Sequence, residues 1–148
     1  MVVLALKKRV LFICTHNSAR SQMAEGFLRA LYGDEYEAYS GGTEPKGIDP
    51  RAVKVMAEVG VDISRQRSKG LEEFEGMEFD YVVTVCDRAK EVCPFFPGGK
   101  IFLHKGFEDP SQLKGTEEEI LAGFRRVRDE IRDWIEETFG GRQRRMGI

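Results

Sequence analysis

The fold follows from residues 9–21, which read RVLFICTHNSARS. The run 9–13 is β-branched and aromatic, so it predicts a buried strand. The polar loop after it leads into a segment whose apolar residues recur at helical spacing, namely Met23, Phe27, Leu28 and Leu31. A strand, a loop and a helix in succession form the repeating unit of an α/β fold.

The rest of the chain continues this alternation. Further strands are predicted at 37–40, 81–85 and 101–103, helices at 50–59 and 116–139, and a helical turn at 71–74. Asp49 and Pro50 suit the N-cap and first position of a helix, and Thr116 with Glu119 has capping-box spacing. The run 81–85, YVVTV, is apolar on both faces, which is typical of a central parallel strand.

Composition limits the class of protein. The chain has 148 residues, 41% hydrophobic and 32% charged, with a net charge of -2. These values predict one compact domain over residues 1–148, with flexible ends at 1–8 and 141–148. They argue against nucleic acid or an anionic membrane as a partner. No stretch of apolar residues approaches the length needed to span a membrane. We expect the protein to be cytoplasmic and monomeric.

The loop between the first strand and the first helix has the form C-x5-R-S, from Cys14 to Arg20 and Ser21. Five residues can wrap so that their N–H groups converge on one tetrahedral oxyanion, and the helix N-terminus adds positive charge. This field is expected to lower the pKa of the Cys14 thiol. Arg20 offers a planar fork to two oxygens, and Ser21 a donor to the sulfur. The residues predicted to bind the oxyanion are Thr15, His16, Asn17, Ser18, Ala19, Arg20 and Ser21.

Plainer explanations exist for each feature. A cysteine at a strand end is usually a small buried hydrophobic residue. The pair Asp109–Pro110 is more often a turn than a catalytic element. Of the 3 cysteines, Cys86 follows a strand and Cys93 lies in a later segment. An odd number of cysteines cannot pair fully, so we expect free thiols, and no CxxC motif or Cys/His cluster indicates a zinc site.

Several segments together give a resemblance. Beyond the loop, they are SQMAEG at 21–26, YSGG at 39–42, VDIS at 61–64, VVTVC at 82–86, CP at 93–94, GFEDP at 106–110 and RVRDEI at 126–131. The chain resembles the low-molecular-weight tyrosine phosphatase superfamily, specifically its thioredoxin-coupled arsenate reductase branch. The resemblance implies a flavodoxin-like sandwich with a four-stranded parallel sheet in the order 2-1-3-4 and helices on both faces.

The resemblance also implies roles for individual residues. Cys14 would attack arsenate, and Asp109 would act as the general acid. Cys86 would then attack Cys14 and release arsenite, and Cys93 would resolve the resulting disulfide for reduction by thioredoxin or a similar dithiol. Cys86 and Cys93 are separated by seven positions. An intact helix would hold them about 10 Å apart, beyond the roughly 7 Å that a disulfide allows, so their segment would have to unwind.

Two other functions stay open. The first is a phosphatase that cleaves phosphotyrosine or aryl phosphates through a phosphoenzyme at Cys14, with Asp109 as general acid. Phosphatases of this family usually carry aromatic residues after the Asp-Pro, whereas this chain has Ser111 and Gln112, which favour a small inorganic substrate. The second is a redox or oxyanion-binding module without catalysis, which Cys14, Arg20 and Asp109 together make the weakest hypothesis.

The chain departs from the family pattern at several positions. His16 and Ala19 replace the usual glycine and cysteine of the loop, and Lys105 stands where tryptophan is common. Some relatives bind potassium near residues that match Asn17, Glu25 and Ser40. Lys69 replaces a further acidic ligand, so we expect its ammonium to take the place of the ion, and no other cofactor.

Overall fold

The computed structural model describes residues 6–92 and 96–141. Its sheet has four parallel strands in the order β2-β1-β3-β4, as the resemblance implied. The strands are β1 (Lys8–Cys14), β2 (Tyr36–Gly42), β3 (Phe79–Thr84) and β4 (Gly99–His104). The α-helices are α1 (Arg20–Tyr32), α2 (Pro50–Glu58), α3 (Asp87–Val92) and α4 (Glu117–Phe139), and short 3₁₀ turns span Leu71–Phe74 and Pro110–Gln112.

Both faces of the sheet are covered. Successive side chains of a strand point to opposite faces, yet every residue from Val10 to Ile13 is fully buried. The longest helix, α4, begins with the predicted capping box, in which Thr116 and Glu119 exchange hydrogen bonds. None of the helices in the described part of the chain is long and apolar enough to cross a membrane.

A few boundaries differ from the sequence-based prediction. Lys8 pairs with Tyr36 in the sheet, although position 8 was expected in the flexible end, because β1 extends by one residue over its partner. Gly42 belongs to β2 and pairs with Cys14. Residues 1–5 and 142–148 lie outside the described residues, so the expected flexible ends are not otherwise addressed.

The sheet brings the sites of chemistry to one edge. In a parallel sheet all strands end on the same side, where α/β proteins bind ligands. Cys14 is the last residue of β1, and Cys86 lies two positions beyond Thr84, the last residue of β3. The Val85 N–H donates to the Ile13 carbonyl at 2.9 Å, which holds the two chain segments side by side.

Candidate active site

The loop between β1 and α1 is held from outside through its carbonyl groups. Four of its carbonyl oxygens accept backbone N–H bonds from the segment that follows β2. The pairs are Cys14 with Thr43 (3.2 Å), Thr15 with Glu44 (2.7 Å), His16 with Lys46 (3.1 Å) and Ser18 with Asp49 (3.0 Å). In a trans peptide the N–H points opposite to the carbonyl. The N–H groups that follow these carbonyls are therefore turned into the loop, where an oxyanion would lie.

One residue carries the backbone strain of this loop. Asn17 is the only non-glycine position with positive φ, 50°, among the described residues. Asparagine tolerates this conformation better than most residues. His16 therefore replaces the family glycine without strain, because the left-handed position falls on its neighbour.

The Asn17 side chain locks the loop in place. Its Nδ2 donates to Ser21 Oγ at 2.7 Å and to Ser40 Oγ at 3.0 Å. Its Oδ1 accepts from Gln22 Nε2 at 2.8 Å and from the Lys69 N–H at 3.0 Å. Asn17 is fully buried, and its partners lie on α1, on β2 and at Lys69, so the side chain ties the loop to three parts of the fold.

The thiol of Cys14 lies at the centre of this arrangement and is 2% exposed. Its Sγ lies 2.8 Å from Ser21 Oγ and accepts the Asn17 N–H at 3.2 Å. Burial raises the pKa of Cys14, while the Ser21 hydrogen bond and the Arg20 charge lower it without overcoming burial. The expectation of a lowered pKa is therefore wrong for the ligand-free protein, because removing the sulfur from water disfavours the thiolate.

Arg20 and Asp109 face each other at the mouth of the loop. Arg20 Nη2 lies 3.4 Å from Asp109 Oδ2, with side chains only 11% and 21% exposed, and Nη1 donates to the Phe107 carbonyl at 3.1 Å. The other carboxylate oxygen of Asp109 accepts from the N–H and hydroxyl of Ser111. Asp109 thus caps a 3₁₀ turn, which agrees with the interpretation of Asp109–Pro110 as a turn. It also lies beside the proposed anion site.

A cavity of about 650 Å³ opens above Cys14. It is much larger than one tetrahedral oxyanion. Charged and polar side chains of Asp49, Arg51, Asp109, Ser111 and Gln112 contribute to its wall. No Phe, Tyr or Trp occurs among the described residues that line it. Ser111 and Gln112, which follow the Asp-Pro pair in place of the usual aromatic residues, lie in this wall.

The second thiol lies beside the loop. Cys86 is 2% exposed, and its Sγ lies 3.4 Å from Thr15 Oγ1 and accepts the Ala89 N–H of α3 at 3.4 Å. Cys14 and Cys86 are both free thiols. Position 93 lies outside the described residues, so the expected resolving cysteine cannot be placed. The segment between positions 86 and 93 is helical over Asp87–Val92.

The residues expected near a potassium ion form a closed network of protein groups. Ser40 Oγ donates to Glu25 Oε1 at 2.6 Å, Arg29 Nη2 lies 2.6 Å from Glu25 Oε2, and Lys69 Nζ lies 3.7 Å from Glu25 Oε1. Burial lowers the pKa of Lys69, and Glu25 opposes this. Two protein cations therefore neutralise the carboxylate, and no group of three or more His, Cys, Asp or Glu suited to a metal ion occurs in the described ranges.

Sequence reasoning missed one group near the site. His104, at the end of β4, bonds Thr84 on one side and Asp87 on the other. The strand register pairs His104 with Thr84. In the sequence, the only signal was that Thr84 and His104 end two strands of the same parallel sheet, which places both side chains at the edge where the site lies.

The parallel α/β sheet and the loop around the buried Cys14 thiol are those expected of an oxyanion-binding enzyme. The chain belongs to the low molecular weight phosphotyrosine protein phosphatase family, whose model matches residues 9–142.

Within this family, the chain is similar to several arsenate reductases. The chain is 50% identical over 125 residues to an arsenate reductase of Halalkalibacterium halodurans, which covers 84% of this chain and 90% of that protein. A solved arsenate reductase in the phosphate binding state is 35% identical, with a TM-score of 0.73, over 88% of this chain and 95% of the other. A thioredoxin-dependent arsenate reductase of Corynebacterium glutamicum is 32% identical, with a TM-score of 0.64, over 91% of this chain and 63% of that one.

Proposed function

We propose that this protein reduces arsenate to arsenite through a relay of its three thiols. The observation that carries the proposal is the buried Cys86 thiol, 3.4 Å from the Thr15 hydroxyl of the oxyanion loop. Hydrolysis of a phosphate ester requires one nucleophilic cysteine and water. A second thiol beside the first is what a reduction requires, because two electrons have to come from two sulfurs.

In the first step the inward N–H groups of the loop and the Arg20 guanidinium hold arsenate above Cys14. The Cys14 sulfur attacks arsenic and an S–As bond forms, while the thiol proton passes to the Asp109 carboxylate. One As–O bond breaks, and Asp109 gives that proton to the departing hydroxide, which leaves as water. Preorganised donors aimed at the developing charge are the largest contribution that such a site makes to catalysis.

In the second step the Cys86 thiolate attacks the Cys14 sulfur. An S–S bond forms and the S–As bond breaks, with its electron pair staying on arsenic, which falls from As(V) to As(III) and leaves as arsenite. Cys93 then attacks Cys86 and releases Cys14 as a thiol. Thioredoxin or a similar dithiol reduces the Cys86–Cys93 disulfide by thiol–disulfide exchange. This chemistry suits the reducing cytoplasm.

A phosphatase is the second candidate, and the family match favours it. The same loop, Arg20 and Asp109 would cleave an aryl phosphate through a phosphoenzyme at Cys14. No Phe, Tyr or Trp is among the described residues that line the cavity above Cys14, so that wall offers no aromatic ring for a phenyl group to stack on. We therefore place aryl phosphate hydrolysis as a side activity.

One experiment separates the two candidates. Arsenite formation with a thioredoxin system and hydrolysis of para-nitrophenyl phosphate are measured for the parent, Cys86→Ser, Cys93→Ser and Cys14→Ser. We expect the Cys86 and Cys93 variants to lose steady-state arsenite formation at least 100-fold and to keep aryl phosphate hydrolysis, and Cys14→Ser to lose both. Lys90→Gln, between the two relay cysteines on exposed surface, is the matched control and should retain both activities. Undiminished arsenite turnover in Cys86→Ser or Cys93→Ser would contradict the relay.

We also propose that the enzyme works without potassium. The carboxylate of Glu25, the expected anionic ligand, is already paired with Lys69 and Arg29. A buried anion with two cationic partners has no remaining charge for a monovalent ion to neutralise. The residues present therefore do not fit a potassium site.

A further inference from the structure

Three side chains form a hydrogen-bonded chain across the Cys86 position. His104 Nδ1 lies 2.8 Å from Thr84 Oγ1, and His104 Nε2 lies 2.9 Å from Asp87 Oδ1. An ionised carboxylate only accepts hydrogen bonds, so Nε2 carries the proton that is donated to Asp87. In the neutral ring Nδ1 then accepts from the Thr84 hydroxyl. We call this chain the imidazole bridge.

The bridge spans the junction between β3 and α3, where Cys86 lies. Thr84 is the last residue of β3, and Asp87 is the first residue of α3, directly after Cys86. His104 is the last residue of β4 and pairs with Thr84 in the sheet. The Lys105 N–H donates to the Thr84 carbonyl at 3.0 Å, so both the backbone and the imidazole fasten the end of β3 to β4.

The first turn of α3 is attached by Ala89, which is fully buried and whose N–H donates to Cys86 Sγ at 3.4 Å, and by a few weaker contacts. The helix has six residues, Asp87–Val92, and helices this short are not stable without tertiary contacts. Its first turn closes through Lys90 N–H and the Cys86 carbonyl at 3.3 Å, a long hydrogen bond. The ion pair of Arg88 with Glu44 at 3.1 Å lies on exposed surface, where such pairs contribute little. The bridge to Asp87 adds a side-chain tether at the first residue of this turn.

The relay requires this turn to change. An intact helix would keep positions 86 and 93 about 10 Å apart, and a disulfide needs a Cα separation of no more than about 7 Å. While the turn is intact, Cys86 Sγ is held at the Thr15 hydroxyl, beside the nucleophile loop. For Cys86 to pair with the later cysteine, the segment between positions 86 and 93 has to rearrange and Cys86 has to leave that position.

From this geometry we infer that His104 is a positioning residue of the relay: through Asp87 it holds α3 closed in the reduced protein and so sets how readily Cys86 passes from Cys14 to Cys93. The inference rests on the proposed thiol relay. We take the bridge as a contact of the reduced state, because movement of Cys86 away from Thr15 also moves the adjacent Asp87 away from His104. Loss of the bridge should then favour the Cys86–Cys93 disulfide.

The test is a redox titration of the Cys86–Cys93 disulfide against reduced and oxidised glutathione, which needs no arsenate. Each variant is made on a Cys14→Ser background so that one disulfide forms. A net hydrogen bond corresponds to about a fivefold change in an equilibrium constant. Because the His104–Asp87 contact lies on exposed surface, we expect His104→Ala and Asp87→Ala each to raise the equilibrium constant for oxidation about two- to fivefold, a potential about 10–20 mV more negative. Asp87 is 85% exposed, so its truncation leaves the core intact.

A double-mutant cycle separates a direct His104–Asp87 interaction from a general structural role of either residue, because only a direct interaction makes the two effects non-additive. If both residues act through one bridge, His104→Ala combined with Asp87→Ala should shift the equilibrium no further than either change alone. Asp87→Asn keeps an acceptor oxygen and should restore most of the parent equilibrium. Lys90→Gln, on the same helix but outside the bridge, should leave it unchanged.

Two outcomes count against the inference in distinguishable ways. If the parent background forms the Cys86–Cys93 disulfide and neither His104→Ala nor Asp87→Ala changes the equilibrium by more than 1.5-fold, or if their effects add, the bridge does not govern the relay. If that background forms no Cys86–Cys93 disulfide with any glutathione ratio, the proposed function fails and the inference fails with it.

Discussion

The substitution Gly42→Ala tests how the oxyanion loop is held. A Cβ at position 42 would lie 2.7 Å from the Thr15 carbonyl oxygen and 2.9 Å from the Asn17 nitrogen. Non-bonded heavy atoms need about 3.5 Å, so the loop would have to move by roughly 0.6–0.8 Å. Both neighbours are backbone atoms and cannot rotate away. Misplacement of binding groups by about 1 Å costs on the order of 100-fold in rate.

The matched control is Gly26→Ala, in α1. A Cβ there would meet the Ile63 side chain at 2.6 Å, and Ile63 does not line the cavity above Cys14. Overpacking of either position should lower the free energy of unfolding by about 1–3 kcal/mol, a decrease in Tm of about 2–4 °C for each kcal/mol. Only Gly42→Ala should also lower kcat/KM by about 100-fold, for both arsenate reduction and aryl phosphate hydrolysis.

The assay combines thermal unfolding with steady-state kinetics on the parent and both variants. The unfolding curves show whether each variant is folded at the assay temperature, so a loss of activity in a folded variant is not due to unfolding. The reasoning is refuted if Gly42→Ala keeps kcat/KM within threefold of the parent, or if Gly26→Ala loses as much activity as Gly42→Ala.

Three further predictions concern the charges of the site. Ser21→Ala should raise the pKa of Cys14 further, because the Ser21 hydrogen bond lowers it. Since alkylation needs the thiolate, the pH profile of iodoacetamide labelling on a Cys86→Ser/Cys93→Ser background should move to higher pH, and an unchanged profile would contradict the assignment. Arg20→Lys keeps the charge but loses the planar fork, and kcat/KM for arsenate should fall on the order of 100-fold; a loss below threefold would show that charge alone suffices. Replacing sodium with potassium at constant ionic strength should change kcat/KM less than twofold, and a larger selective rise would show that Lys69 does not substitute for the ion.

Much of the fold could be predicted because its determinants are local. Alternating runs of strand and helix residues, the capping box at Thr116 and the Asp49–Pro50 helix start each depend on a few neighbouring positions. Their boundaries moved by one or two residues where sheet partners extended a strand, as at Lys8 and Gly42. The order of the strands came from family resemblance, since periodicity does not say which strands are neighbours.

The site was predicted in part. The spacing of Cys14, Arg20 and Ser21 indicates an oxyanion loop because the geometry is set within eight residues of chain. The raised pKa of Cys14 could not be predicted, because it depends on how much of the fold excludes water from the sulfur. The imidazole bridge was missed because Asp87 and His104 are 17 positions apart.

By itself, the sequence determined the alternation of strands and helices, the nucleophile loop and the presence of three thiols, because each of these follows from residue type and short-range spacing. Tertiary structure alone decided which groups satisfy the loop carbonyls, how far Cys14 is buried and which cations neutralise Glu25. These depend on contacts such as that of Lys69 with Asn17, 52 positions apart. Hydrogen bonding and desolvation act between neighbours in space, and only the folded chain makes such residues neighbours.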